Sequence, residues 1–81
     1  MSENDKTFLR MNWERMKVWL GSDNSTSIDI SSSCFAQFGT CGMTLFKWKN
    51  NAWHRKIVNY WRDLSFDEYL EQFNNQEWEL A

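Results

Sequence analysis

Two alternating runs meet at Asn50-Asn51, and that junction constrains the fold of this chain more than any other stretch. Asparagine accepts positive φ more readily than any residue except glycine, and both central positions of a two-residue hairpin turn need it. A turn centred there sets Trp48 opposite Trp53, Phe46 opposite Arg55 and Thr44 opposite Ile57, all on one face. The other face then holds Lys47 opposite His54, Leu45 opposite Lys56 and Met43 opposite Val58. A helix over 52–64 competes with this reading, because Trp53, Ile57, Trp61 and Leu64 recur at helical spacing behind Asn51 as a cap. That helix would carry His54, Arg55 and Lys56 in its first turns and Asp63 at its end, opposing the macrodipole at both ends. The hairpin is therefore preferred.

The pattern continues upstream. Thr26, Ile28 and Ile30 alternate with Ser27, Asp29 and Ser31, the signature of a strand with one apolar side, and Ser31-Ser32-Ser33 marks a bend or bulge. Gly39-Thr40 is a candidate turn between Cys34–Phe38 and Cys41–Lys49. Phe35 joins the face of Phe46, Trp48, Trp53 and Ile57, whereas Cys34, Ala36, Phe38, Met43, Leu45 and Val58 fill the opposite one. Two apolar faces need two covers. Helices on both sides would close a monomer; helices on one side would leave a patch for a homodimer or a heteromeric contact.

Those covers are expected at the two ends of the chain. Leu9, Trp13, Met16 and Leu20 form one stripe at helical period over residues 5–20, with Asn4 or Asp5 as cap and Gly21 at the C-terminal end. Ser65 and Glu68 make an S-x-x-E capping box, and Leu64 and Tyr69 stand at the staple positions. Phe66, Tyr69, Leu70 and Phe73 then form the buried stripe of a helix over 66–74, followed by a tail, 75–81. The expected fold is α+β: an N-terminal helix about 5–20, a three- to four-stranded antiparallel sheet within 26–60, and the C-terminal helix, all in one domain spanning residues 1–81.

Composition narrows the class. Six Trp, six Phe and two Tyr outnumber the eleven Leu, Ile and Val, so the core must be rich in aromatic rings. No apolar run approaches the ~20 residues that span a bilayer, and the polar start Met1-Ser2-Glu3-Asn4-Asp5 lacks a signal h-region; cytoplasmic residence without membrane attachment is expected. Cys34 and Cys41 are then expected to be reduced, although a bridge across a hairpin is geometrically open to them.

No catalytic or metal motif emerges. Two cysteines seven residues apart, with the single His54 thirteen residues further on, lack metal-ligand spacing, and both cysteines read as small apolar strand residues. A dyad of Cys34 or Cys41 with His54 has no nucleophile elbow or orienting group to support it. The three glycines are isolated and form no phosphate loop. The chain is expected not to be an enzyme and to use no cofactor.

Charge points towards contact instead. Lys47, Lys49, Arg55, Lys56 and Arg62 place five bases and no acid in residues 47–62, and Asp63, Asp67, Glu68, Glu71, Glu77 and Glu79 place six acids and no base in 63–81. Four tryptophans lie in this divided region, a residue favoured at interface hot spots. The expected binding residues, for protein or nucleic acid, are Lys47, Trp48, Lys49, Trp53, Arg55, Lys56, Trp61 and Trp78. In its shortness, its Asn and Trp content and its lack of proline the chain is similar to accessory proteins of phages and mobile elements. The tryptophans and their flanking charges lead to the expectation of a non-catalytic protein-binding module, an inhibitor that blocks a larger host protein or complex by contact, with a homodimer as one form of partnership. The alternative is a small single-strand RNA or DNA binder using the basic aromatic hairpin 47–56, against which stands the net charge of −2.

Overall fold

The computed structural model describes residues 2–20, 26–40, 42–59 and 64–81. The elements run α1 (Glu3–Met11), α2 (Trp13–Trp19), β1 (Thr26–Ser31), β2 (Cys34–Gly39), β3 (Gly42–Lys49), β4 (Ala52–Asn59), α3 (Phe66–Asn74) and β5 (Glu79–Leu80). The strands form one sheet in the order β1-β2-β3-β4-β5, and every neighbouring pair is antiparallel.

The β3–β4 hairpin has the register its sequence dictates, with Trp48 paired to Trp53, Lys47 to His54, Phe46 to Arg55, Leu45 to Lys56, Thr44 to Ile57 and Met43 to Val58. Asn50 and Asn51 turn the chain with φ of 51° and 61°, the doubly positive geometry of a two-residue turn matched to strand twist. Residues 52–59 are thus strand, not the first turns of a helix; residues 60–63, including Trp61, lie outside the described residues. The β2–β3 turn falls one residue later than Gly39-Thr40, since Gly39 pairs with Gly42. Gly42 takes φ 134°, which a side chain would resist, and so it suits the resumption of pairing there.

The N-terminal helix is two helices. Asn12 breaks it: its backbone has φ −103° and ψ 6°, and its Nδ2 donates to Phe8 O at 2.8 Å. An asparagine side chain that captures a carbonyl of the preceding turn competes with helix continuation. The cap is Ser2, whose Oγ accepts from Asp5 N at 3.2 Å, two to three residues before the expected Asn4 or Asp5. Leu9, Trp13, Met16 and Leu20 nevertheless all stay buried, because the break preserves the stripe. Gly21 lies outside the described residues. At α3 the capping box is complete, with Glu68 N donating to Ser65 Oγ at 3.3 Å and Ser65 N donating to Glu68 Oε1 at 3.1 Å, an arrangement worth about 1 kcal/mol.

A fifth strand, beyond the expected three or four, comes from the tail. Leu80 pairs with His54 and Glu79 with Arg55, and Ala81 N donates to Trp53 O at 3.1 Å. Further along the same edge the Gln76 side chain replaces a strand residue: its Oε1 accepts from Ile57 N at 3.1 Å and its Nε2 donates to Ile57 O. The outer edge of β4 from Trp53 to Ile57, which would otherwise invite another chain, is thereby engaged.

One core forms on one side of the sheet. Leu9, Trp13, Met16 and Leu20 from the N-terminal segment and Phe66, Tyr69 and Phe73 from the α3 stripe pack on Cys34, Ala36, Phe38, Met43, Leu45 and Val58. Trp13 joins the helices, 5.4 Å from Phe66 and 5.3 Å from Tyr69 between ring centroids, and Trp19 lies 5.5 Å from Phe38. All three helices of the described residues thus cover the same sheet face.

Candidate protein-contact face and lysine cluster

The pleat projects Phe35, Phe46, Trp48, Trp53 and Ile57 away from the helices. Register carries this assignment across the sheet: Phe35 pairs with Phe46, Trp48 with Trp53, and Thr44 with Ile57. The rings form a connected group, with centroids 4.7 Å apart for stacked Phe35 and Phe46, 5.2 Å for Phe35 and Trp53, and 5.4 Å for Trp48 and Trp53 edge to face. Ring packing orders the group but leaves it open: Trp48 is 45% exposed, Ile57 40% and Trp53 38%. Ser27, Asp29, Gln37, Thr44, Arg55 and Glu79 share this face by register and frame the rings with polar groups. Arg55 Nε donates to Glu79 Oε1 at 3.0 Å, so the one base that the described residues place on this face is already paired.

The lysines lie on the other side of the sheet. Lys47 and Lys49 on β3 and Lys56 on β4 converge on Trp78, with Nζ atoms 6.0, 5.9 and 4.8 Å from its ring centroid. Lys56 is buried and its Nζ donates to Phe73 O at 2.9 Å, at the C-terminal end of α3 where a cation is favoured. Burial lowers the Lys56 pKa from its ordinary 10.5, and the neighbouring Lys49 and Lys47 lower it further. Among the described residues the ion pairs are Lys6–Glu3, Arg10–Asp67, Lys17–Glu14 and Arg55–Glu79, and none reaches Lys47, Lys49 or Lys56.

Of the residues expected to bind, Trp48, Trp53 and Arg55 are therefore on the open face, and Lys47, Lys49, Lys56 and Trp78 are on the helix-bearing one. Trp61 lies outside the described residues. The tail around Trp78 is docked on its own sheet. Phe35, Phe46 and Ile57 belong with the open rings, and their alternation with Ala36, Leu45 and Val58 was the signal for them.

Cys34 is a free thiol, buried at 3% exposure. Burial pushes its pKa from 9.0 up to about 11, with Asp5 adding to the rise. Cys34 pairs with Lys47 and Lys47 with His54, so the whole of β3 stands between thiol and imidazole, about 10 Å of strand spacing. His54 Nδ1 instead lies 3.1 Å from Ala52 O. Since the folded pKa of the thiol is raised, its contribution to stability is complete below pH 9.0 and is lost as pH climbs towards about 11. In a Cys41→Ser background, iodoacetamide at pH 8 should alkylate Cys34 no faster than the protein unfolds; alkylation at the rate of a free peptide thiol would contradict its burial.

Among the described residues no three His, Cys, Asp or Glu side chains gather to hold a metal ion, and no helix is long and apolar enough to cross a membrane. Comparison with protein-family models, curated proteins and solved structures finds no match.

Proposed function

We propose that this chain is a non-catalytic protein-binding module that docks through the open face of its sheet and blocks the partner surface it occupies. The observation that carries the reading is the partly exposed group of Phe35, Phe46, Trp48, Trp53 and Ile57 on a sheet whose helices all pack on the opposite side. Its arrangement, rings at the centre and polar side chains around them, is that of a contact patch, where aromatic anchors supply affinity and the polar rim supplies register.

The nucleic-acid alternative draws less support from the geometry. A single-strand platform needs stacking rings and phosphate-binding bases on one surface. Within the 47–56 hairpin the pleat divides them: Trp48 and Trp53 look one way while Lys47, Lys49 and Lys56 look the other, where the ring beside them is the partly buried Trp78 of the tail, and Arg55 is held by Glu79. The test is affinity capture from host lysate with wild-type protein and with Trp48→Thr/Ile57→Thr. A specific partner retained by the first and lost by the second supports the reading. Equal retention by both overturns the assignment to this face.

A further inference from the structure

We infer that Lys47, Lys49 and Lys56, grouped around Trp78, form a phosphate-binding site on the helix-bearing side of the sheet. It is independent of the contact face. Three ammonium groups lie within 6.0 Å of one indole centroid, and among the described residues none of them has a carboxylate partner. Three acids lie close by in sequence or space and leave the cluster unpaired. Glu77, which precedes Trp78 in the chain, is exposed and makes no ion pair with the three lysines. Glu79, next to Trp78 in the chain, is committed to Arg55 on the other face at 3.0 Å. Asp5 acts on Cys34 across from Lys47 but makes no ion pair with that lysine.

The cluster is built, not a chance gathering of mobile side chains. Hairpin register fixes the stems, since Lys47 and Lys49 alternate along β3 and Lys56 lies diagonally across on β4. Lys56 Nζ spends one donor on Phe73 O, at 2.9 Å, which leaves it two N–H groups and pins its position. The tail holds Trp78 over the three stems through the pairing of Glu79 and Leu80 with β4. Cation–π attraction to the indole offsets part of the mutual repulsion. Lys56 still feels its two neighbours as destabilising charge, in the direction of its lowered pKa. A phosphate group brings several acceptor oxygens and up to two negative charges to such a place and relieves that repulsion, which a single carboxylate does less well.

The class of ligand is a phosphorylated compound, either free or as part of a nucleic-acid backbone. The test is an NMR titration of the full-length protein with inorganic pyrophosphate, following the Trp78 indole N–H against sodium chloride at equal ionic strength. A saturable shift beyond the chloride control is expected. It should weaken roughly tenfold in Lys49→Gln, the loss of one charged hydrogen bond, and be unchanged in Lys17→Gln. A second titration with a short oligothymidylate separates the sources: binding tighter than pyrophosphate assigns a nucleic-acid backbone, and weaker binding assigns a free phosphate compound. A Trp78 shift that tracks ionic strength alone, or equal weakening by Lys17→Gln, overturns the site. Trp48→Thr/Ile57→Thr should bind pyrophosphate as the wild type does, so failure here and failure of the protein-contact reading are separable.

Discussion

Phe73→Ala should lower the free energy of unfolding by about 3–5 kcal/mol, the range for an aromatic ring removed from a packed interior. Phe73 is 1% exposed and sits in the α3 stripe with Tyr69 and Phe66, where the helix meets the sheet. Two terms add. The ring's own burial is lost, and a cavity remains because the helix cannot collapse onto the sheet while the capping box fixes its start and Lys56 grips its final turn. A chain of this length has roughly 4–12 kcal/mol of total stability, so the variant stands near the edge of folding. Urea unfolding of both proteins measures the difference. Leu80→Ala, at a side chain 68% exposed, should change stability by less than about 0.5 kcal/mol in the same assay. A Phe73→Ala loss under about 1 kcal/mol would mean that α3 does not pack on this sheet.

The double variant Trp48→Thr/Ile57→Thr should behave in the opposite way, sparing the fold and abolishing contact. Both side chains are substantially exposed, and threonine keeps the strand preference of the backbone without adding charge. The fold should lose about 1–2 kcal/mol, chiefly the edge-to-face packing of Trp48 on Trp53 and part of the area shared with it. Affinity for the partner should fall by roughly a hundredfold or more, because a central tryptophan and its apolar neighbour are what such interfaces lose most by truncation. A variant that binds normally would place the contact elsewhere. A variant that unfolds would show instead that these side chains serve the interior.

The contrast between those variants follows from how sequence maps onto this fold. The β3–β4 register was legible because period-two alternation and Asn50-Asn51 act on neighbouring residues, and a slip of one position would exchange the faces. The α3 start was legible for the same reason, since Ser65 and Glu68 satisfy each other's backbone within one turn. Strand β5 was not, because a two-residue strand has no period, and Gln76 works through a side-chain amide that imitates backbone. The break at Asn12 was hidden behind an apolar stripe that survives it. The choice of face was the largest gap. Each helix stripe is compatible with either side of the sheet, and only their joint packing, with Trp13 set between Phe66 and Tyr69, decides that both take the same one. The basic and aromatic residues of 47–56 adjoin in sequence yet separate in space, because each step along a strand reverses direction.

Hydroxyl-radical footprinting of the free protein and of its captured complex tests most directly whether this molecule works through the sheet face its helices leave open. Trp48, Trp53 and Ile57 should be oxidised readily in the free protein and protected in the complex, while Met11 and Val18, exposed on the helices at 81% and 76%, should react equally in both. Protection of Met11 and Val18 with unchanged Trp48 and Trp53 would contradict it.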